Sequence, residues 1–163
     1  MSHPSGTTPA MTPEAFREQL VALTRSLAGR SLDGELDAWL NREHGAGSPT
    51  FTALQAACEA GVAAGWLCNR EAGGIRYGRI FKPADDLAGF SVDVVDMTDL
   101  AGPHHVHPQG EIDLVMPLSG DARFDGRPAG WVVYPPGSAH RPTVSAGRAL
   151  VLYLLPAGQI QFS

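Results

Sequence analysis

Residues 102–120 read GPHHVHPQGEIDLVMPLSG, and this stretch decides the fold. His105, His107 and Glu111 stand in it as H-x-H-x-x-x-E, with Gly120 closing the pattern. Side chains two apart on a strand share a face, so an extended segment points both imidazoles the same way. A turn at Pro108-Gln109-Gly110 then brings in Glu111 at the head of an apolar run. Downstream, Pro135-Pro136-Gly137-Ser138-Ala139-His140 forms P-x-G-x-x-H, a tight turn that swings one more imidazole inward. Three imidazoles and a carboxylate suit a single divalent ion such as iron, manganese, nickel or zinc, with positions open for water or substrate.

Taken in this order, the two patterns resemble the two motifs of the cupins. The resemblance implies a mainly β fold, a cupin-type double-sheet β-barrel, with His105, His107, Glu111 and His140 as metal ligands. Three departures bear on the metal chemistry more than on the fold. The glycine that usually precedes the first histidine is absent, the interval from Glu111 to Gly120 is long, and Val144 stands where the second motif often carries Asn.

A chain of 163 residues with 44% hydrophobic content is one ordinary globular domain with room for an extension. The net charge of -5 and a pI near 5.6 argue against a nucleic-acid surface, which needs a concentrated basic patch. Only Cys58 and Cys68 are present, so no disulfide framework is indicated and reduced cytoplasm is the expected location. Residues 1–11 are expected to form a disordered leader, since their Ser/Thr/Pro/Gly content lacks the basic start and apolar run of a signal peptide. No apolar run is long enough for a membrane-spanning helix, so no membrane partner is expected.

Residues 12–65 read as a helical segment. Thr12 caps and Pro13 opens a first helix reaching Arg30, with Phe16, Leu20, Leu23 and Leu27 on one face. A second helix is predicted from Ser31 to Glu43 with Leu32, Leu36, Trp39 and Leu40 aligned, ending at Gly45. A third starts at Ser48-Pro49, carries Phe51, Leu54, Cys58 and Val62, and ends near Gly65. With the hairpin-like piece from Trp66 to Phe81 turning at Gly73-Gly74, a winged-helix module is an alternative. The third helix offers Thr, Gln, Ala and Glu rather than base-reading side chains, so the helices are expected outside the barrel or at a dimer contact.

Residues 66–163 read as the barrel, with the helices packed on it as one unit and a homodimer or higher homo-oligomer expected. Strands are predicted at Ile75 to Phe81, Phe90 to Met97, Glu111 to Leu118, Ala122 to Phe124, Trp131 to Tyr134 and Leu150 to Leu155. Phe90, Val92 and Val94 alternate with Ser91, Asp93 and Val95, and Asp125-Gly126 marks a tight turn.

Alternation after Glu111 places Asp113 and Val115 on its inward face and Ile112, Leu114 and Met116 on the other. Asp113 is then a buried carboxylate beside the ligand cluster, a candidate acid or base together with Glu111 and His140, or else a structural partner of a ligand imidazole. His104 has the wrong parity for ligation. Arg123, Arg141, Arg76 and Arg79 are the guanidiniums near barrel strands, and an aromatic carboxylate substrate would want one of them, Arg123 and Arg141 first. Tyr134, Tyr77 and Tyr153 could donate to a bound oxygen, although strand aromatics more often fill a core.

Beyond the two motifs, FSVDVVDMTDLAGPHH (90–105), GEIDLVMPL (110–118), ARFDGRPAGWVVYPPGSAHRPTV (122–144) and RALVLYLLP (148–156) resemble the 4-hydroxylaminobenzoate lyases of bacterial nitrobenzoate degradation. That resemblance implies conversion of 4-hydroxylaminobenzoate, a small aromatic acid, to 3,4-dihydroxybenzoate (protocatechuate) with release of ammonia. The conversion is redox-neutral and asks for no nucleotide cofactor, and the sequence shows neither a dinucleotide fingerprint nor a phosphate loop. Two alternatives stay open at this point: a mononuclear iron cupin dioxygenase, and a non-enzymatic small-molecule sensor with the helices as its output.

Overall fold

A computed structural model describes residues 10–163. Most of the leader expected over residues 1–11 lies outside the described residues, while Met11 packs against the helical core.

Helix α1 spans Pro13–Leu27, and Thr12 caps it by accepting from the backbone of Ala15 at 3.1 Å. Its apolar stripe, Phe16, Leu20, Leu23 and Leu27, is buried as the spacing predicts. Burial at this level contributes about 1.5–3 kcal/mol per large side chain. Helix α2 spans Gly34–His44, starting later than Ser31 because the carboxylate of Asp33, not Ser31, accepts from Leu36 N at 3.0 Å. Helix α3 spans Pro49–Ala64, capped by Ser48 and stopped at Gly65, whose φ of 86° lets its N–H reach back to Gly61 and Val62.

Ten strands follow. They are β1 (Arg70–Ala72), β2 (Ile75–Phe81), β3 (Phe90–Ala101), β4 (His105–His107), β5 (Glu111–Pro117), β6 (Arg123–Phe124), β7 (Gly130–Tyr134), β8 (Ser138–His140), β9 (Thr143–Pro156) and β10 (Gln161–Phe162). The large antiparallel sheet runs β1-β2-β3-β9-β5-β7, with β6 paired to β9, and the small sheet runs β10-β4-β8. Together they form the mainly β, cupin-type double-sheet barrel that the two motifs imply.

The large sheet is apolar on both faces, for different reasons. Its outer face, including Val92, Val94, Ile112, Leu114, Leu152 and Leu154, joins the helical stripes in one core. Its inner face, including Val95, Met97, Val115, Val151 and Tyr153, forms a second core inside the barrel with Phe124 and Val144. The helices therefore cover the barrel rather than build a separate module. The β1–β2 hairpin continues into the large sheet through β3, so no winged-helix unit exists among the described residues.

Strand β7 ends the large sheet and would leave an open edge. Helix α2 closes it. The Asn41 side chain donates to Trp131 O at 2.8 Å and accepts from Trp131 N at 2.8 Å, Asp37 accepts from Val133 N at 2.9 Å, and the Trp131 indole donates to His44 O. Cys58 and Cys68 are buried free thiols. Among the described residues no helix is long and apolar enough to cross a membrane.

Candidate metal centre and its cavity

The small sheet and the head of β5 bring four side chains together. In the β4–β8 pair His105 lies opposite His140 and His107 opposite Ser138, while β5 faces them from the large sheet. One potential ligand atom each from His105, His107, Glu111 and His140 lies within 4.8 Å of all the others. Glu111 Oε2 is 3.3 Å from His107 Nε2 and 3.7 Å from His140 Nε2, and Oε1 is 3.7 Å from His105 Nε2. His105 and His140 Nε2 approach to 3.0 Å. The strand parity of His105 and His107 and the two turns that bring in Glu111 and His140 thus meet in one space, and parity sets His104 apart, bonded to Ser163.

Hydrogen bonding fixes which ring nitrogens carry protons. Ser138 Oγ donates to Pro135 O at 2.6 Å, so toward His107 it can only accept, from Nδ1–H at 3.0 Å. His107 Nε2 then turns a lone pair toward Glu111, and it is buried with no hydrogen-bond partner. Asp125 does the same for His140, because its Oδ2 accepts from His140 Nδ1 at 2.5 Å. Burial opposes ionisation of Asp125, but the bonds from His140 and Tyr134 outweigh it and hold its carboxyl below the ordinary range. An ionised Asp125 cannot donate, so the proton stays on Nδ1 and the His140 Nε2 lone pair faces the cluster. Both Glu111 oxygens are likewise buried without partners. Lone pairs and a carboxylate converging in a dry space repel unless a cation lies among them, and this donor set fits a divalent metal ion.

Asp113 projects from β5 on the same inward face, fully buried beside Glu111. Two carboxyl groups this close cannot both ionise at low cost. Burial and the neighbouring Glu111 charge push Asp113 well above the usual carboxylate range. Glu111, although also pushed up by burial, is held down to about 2 by the polar groups of His105, His107 and Asp113 that face it. Asp113 keeps the proton and Glu111 the charge.

Beside the cluster opens a cavity of 730 Å³, with His105 in its wall. Inward residues of β1, β2 and β3 form one side, among them Arg70, Tyr77, Arg79 and Asp93, and Phe162 and Pro142 lie on the other. Arg123 and Arg141, the first guanidiniums expected at a substrate, do not line this cavity. Arg123 is exposed and donates to Gly126 O, and Arg141 donates to Gly102 O. Tyr134 sits 4.6 Å from the His140 ring, centroid to centroid, with its hydroxyl on Asp125. Its phenol therefore braces the Asp125 carboxylate that holds His140.

Sequence reasoning missed Asp125 and Arg70. The Asp125-Gly126 pair gave a turn signal, and Asp125 does hold the turn conformation at φ 51°, but nothing local tells that its carboxylate reaches His140. Arg70 lies on a three-residue edge strand without apolar alternation.

A family model described as 4-hydroxylaminobenzoate lyase (PnbB) matches residues 18–162. The 4-hydroxylaminobenzoate lyase of Nocardioides sp. (strain LMS-CY) is 32% identical over 160 residues, covering 93% of this chain and 95% of that protein. The enzyme of that name from Pseudomonas putida is 30% identical over 167 residues, covering 90% and 95%. Among solved structures, an RmlC-like cupin from Ralstonia eutropha JMP134 aligns with a TM-score of 0.41 at 14% identity, over 56% of this chain and 60% of that one.

Proposed function

The chain belongs to the 4-hydroxylaminobenzoate lyase family of enzymes, and on that premise we propose that it converts 4-hydroxylaminobenzoate to 3,4-dihydroxybenzoate with release of ammonia, as a step of nitroaromatic degradation. The observation that carries this reading beyond the family is His105, which belongs both to the four-residue cluster and to the cavity wall. A substrate in the cavity meets the cluster there.

The chemistry balances without an external oxidant or reductant. The N–O bond breaks and its oxygen leaves as water, one water adds to the ring carbon beside the nitrogen, and a second replaces nitrogen by hydrolysing the imine. One water is consumed overall, and the electron pair that reduces nitrogen comes from the ring.

A divalent ion held by His105, His107, Glu111 and His140 would supply Lewis-acid stabilisation of negative charge on oxygen. The remaining steps fall to the chain itself. Asp113 does not line the cavity, so, protonated beside an ionised Glu111, it is suited to pass a proton by way of the cluster to the departing oxygen and then, ionised, to take one back from the attacking water. His140, fixed by Asp125, holds one orientation throughout. The apolar wall, including Val95, Met97 and Ile160, limits bulk water and so slows loss of the ring proton before the imine is hydrolysed.

The test is an anaerobic incubation of purified protein with 4-hydroxylaminobenzoate. Ammonia and 3,4-dihydroxybenzoate in equal amounts are expected. A requirement for oxygen would instead support a cupin dioxygenase, and saturable binding without turnover would support a sensor.

A further inference from the structure

Two guanidiniums line the cavity, and they are in different states. Arg79 is occupied: its Nε donates to Asp93 Oδ1 at 2.8 Å, and its Nη2 donates to Asp93 Oδ2 at 3.3 Å and to Gly158 O at 3.2 Å. This pair also cancels the charge of Asp93, which also lines the cavity and would otherwise repel an anion. Arg70 stands two strands from Asp93 on the same inward-facing side of the sheet, where β1 pairs with β2 as Arg70 opposite Tyr77. Among the described residues its side chain has no hydrogen-bond or ion-pair partner. The cavity wall beyond it carries Ala72, Ile75, Val95 and Met97.

We propose that Arg70 reads the carboxylate of an aromatic monoacid bound in this cavity, with the acid at the β1 edge and the substituent under reaction toward His105. The physical ground is desolvation. A carboxylate entering an apolar cavity loses water and must recover a charged partner, and a planar guanidinium offers two parallel donors to a planar acid. Arg79 has its Nε and Nη2 donors committed to Asp93 and Gly158 O, which leaves Nη1 alone and no free two-donor edge for the acid. The proposal rests on the lyase reading for the identity of the acid, but not for the binding itself.

Calorimetric titration with benzoate, which carries the acid and no reacting nitrogen, tests the contact directly. Arg70→Leu is expected to weaken benzoate binding by about 10- to 100-fold. Arg70→Lys should fall between it and the unmodified protein, and Arg25→Leu on α1 should bind normally. Melting temperatures should be unchanged, because the Arg70 side chain is exposed and holds nothing in place. In turnover, Arg70→Leu should lower kcat/KM for 4-hydroxylaminobenzoate by a similar factor and leave that for hydroxylaminobenzene, which lacks the acid, unchanged. Benzoate bound equally by Arg70→Leu and the unmodified protein, or not bound by the unmodified protein, overturns the proposal. Benzoate binding that depends on Arg70 in a protein releasing no ammonia from 4-hydroxylaminobenzoate would support the acid site and refute the reaction.

Discussion

Asp125 and His140 meet at 2.5 Å, Oδ2 to Nδ1, so a carboxylate in the turn after β6 fixes the tautomer of a cluster imidazole on β8. The same oxygen accepts the Tyr134 hydroxyl, and Oδ1 accepts Thr143 N at 3.0 Å, which leaves the carboxylate one orientation.

Replacing Asp125 with Asn should therefore loosen the cluster from behind. Partners of this kind are worth about 10- to 100-fold in metal affinity or activity. Competition against a chelator of known affinity measures the loss. Tyr134→Phe, which leaves the Asp125 to His140 bond in place, should lose less. Equal metal affinity in Asp125→Asn and the unmodified protein would show that His140 needs no such support.

Removing divalent metal should abolish most activity, and restoring it should raise the melting temperature, because an ion bound only by the folded state stabilises that state. Elemental analysis is expected to find one ion per chain. Full activity in protein shown to be metal-free would leave the histidines as acids and bases in their own right.

Asp113→Asn has two expected readouts. In metal-stripped protein the folded state keeps the Asp113 proton at pH values where the unfolded chain has lost it. The linked stability is therefore fully present below the ordinary carboxylate range and falls as pH rises toward the higher folded value. Glu111, held down to about 2, contributes no slope between pH 5 and 8. The Asn variant should melt above the unmodified metal-stripped protein near pH 7, with the gap closing toward pH 4. In the loaded enzyme the same change should divert product toward 4-amino-3-hydroxybenzoate, because the imine then loses its ring proton before water attacks. A pH-independent gap, or unaltered product at the unmodified rate, would remove Asp113 from this role.

Asn41→Ala should cost stability without touching the site. It strands the N–H of Trp131 on the β7 edge, while the Trp131 C=O still accepts from Arg127 at 3.1 Å, a loss of about 1–3 kcal/mol. At this chain length that is about 2–4 °C in Tm for each kcal/mol. Metal content should stay at the unmodified level, and a parallel loss of metal would mean that α2 supports the cluster through β7.

What the sequence made legible was whatever depends on spacing alone. His105 and His107 share a face of β4 and Glu111 and Asp113 a face of β5 by strand parity, and Phe16, Leu20, Leu23 and Leu27 share one by helical period. The start of α2 was misread because Ser31 and Asp33 can both cap, and only the observed bond to Leu36 decides between them. Strand β3 runs past Met97 to Ala101 through an irregularity between Thr98 and Leu100, where Asp99 takes φ 43°, a break that periodicity does not announce. Asp125 reaches His140, and the β1–β2 hairpin carries Arg70 to the cavity, only through pairings between separate elements, so no local pattern encodes these placements.

The most direct test of the central claim is turnover of 4-hydroxylaminobenzoate under argon in water enriched in heavy oxygen. Two separate water additions should place solvent oxygen at both phenolic positions of 3,4-dihydroxybenzoate, with one ammonia released per product. A product that keeps the hydroxylamine oxygen on its ring, or one that forms only when molecular oxygen is admitted, would contradict the account.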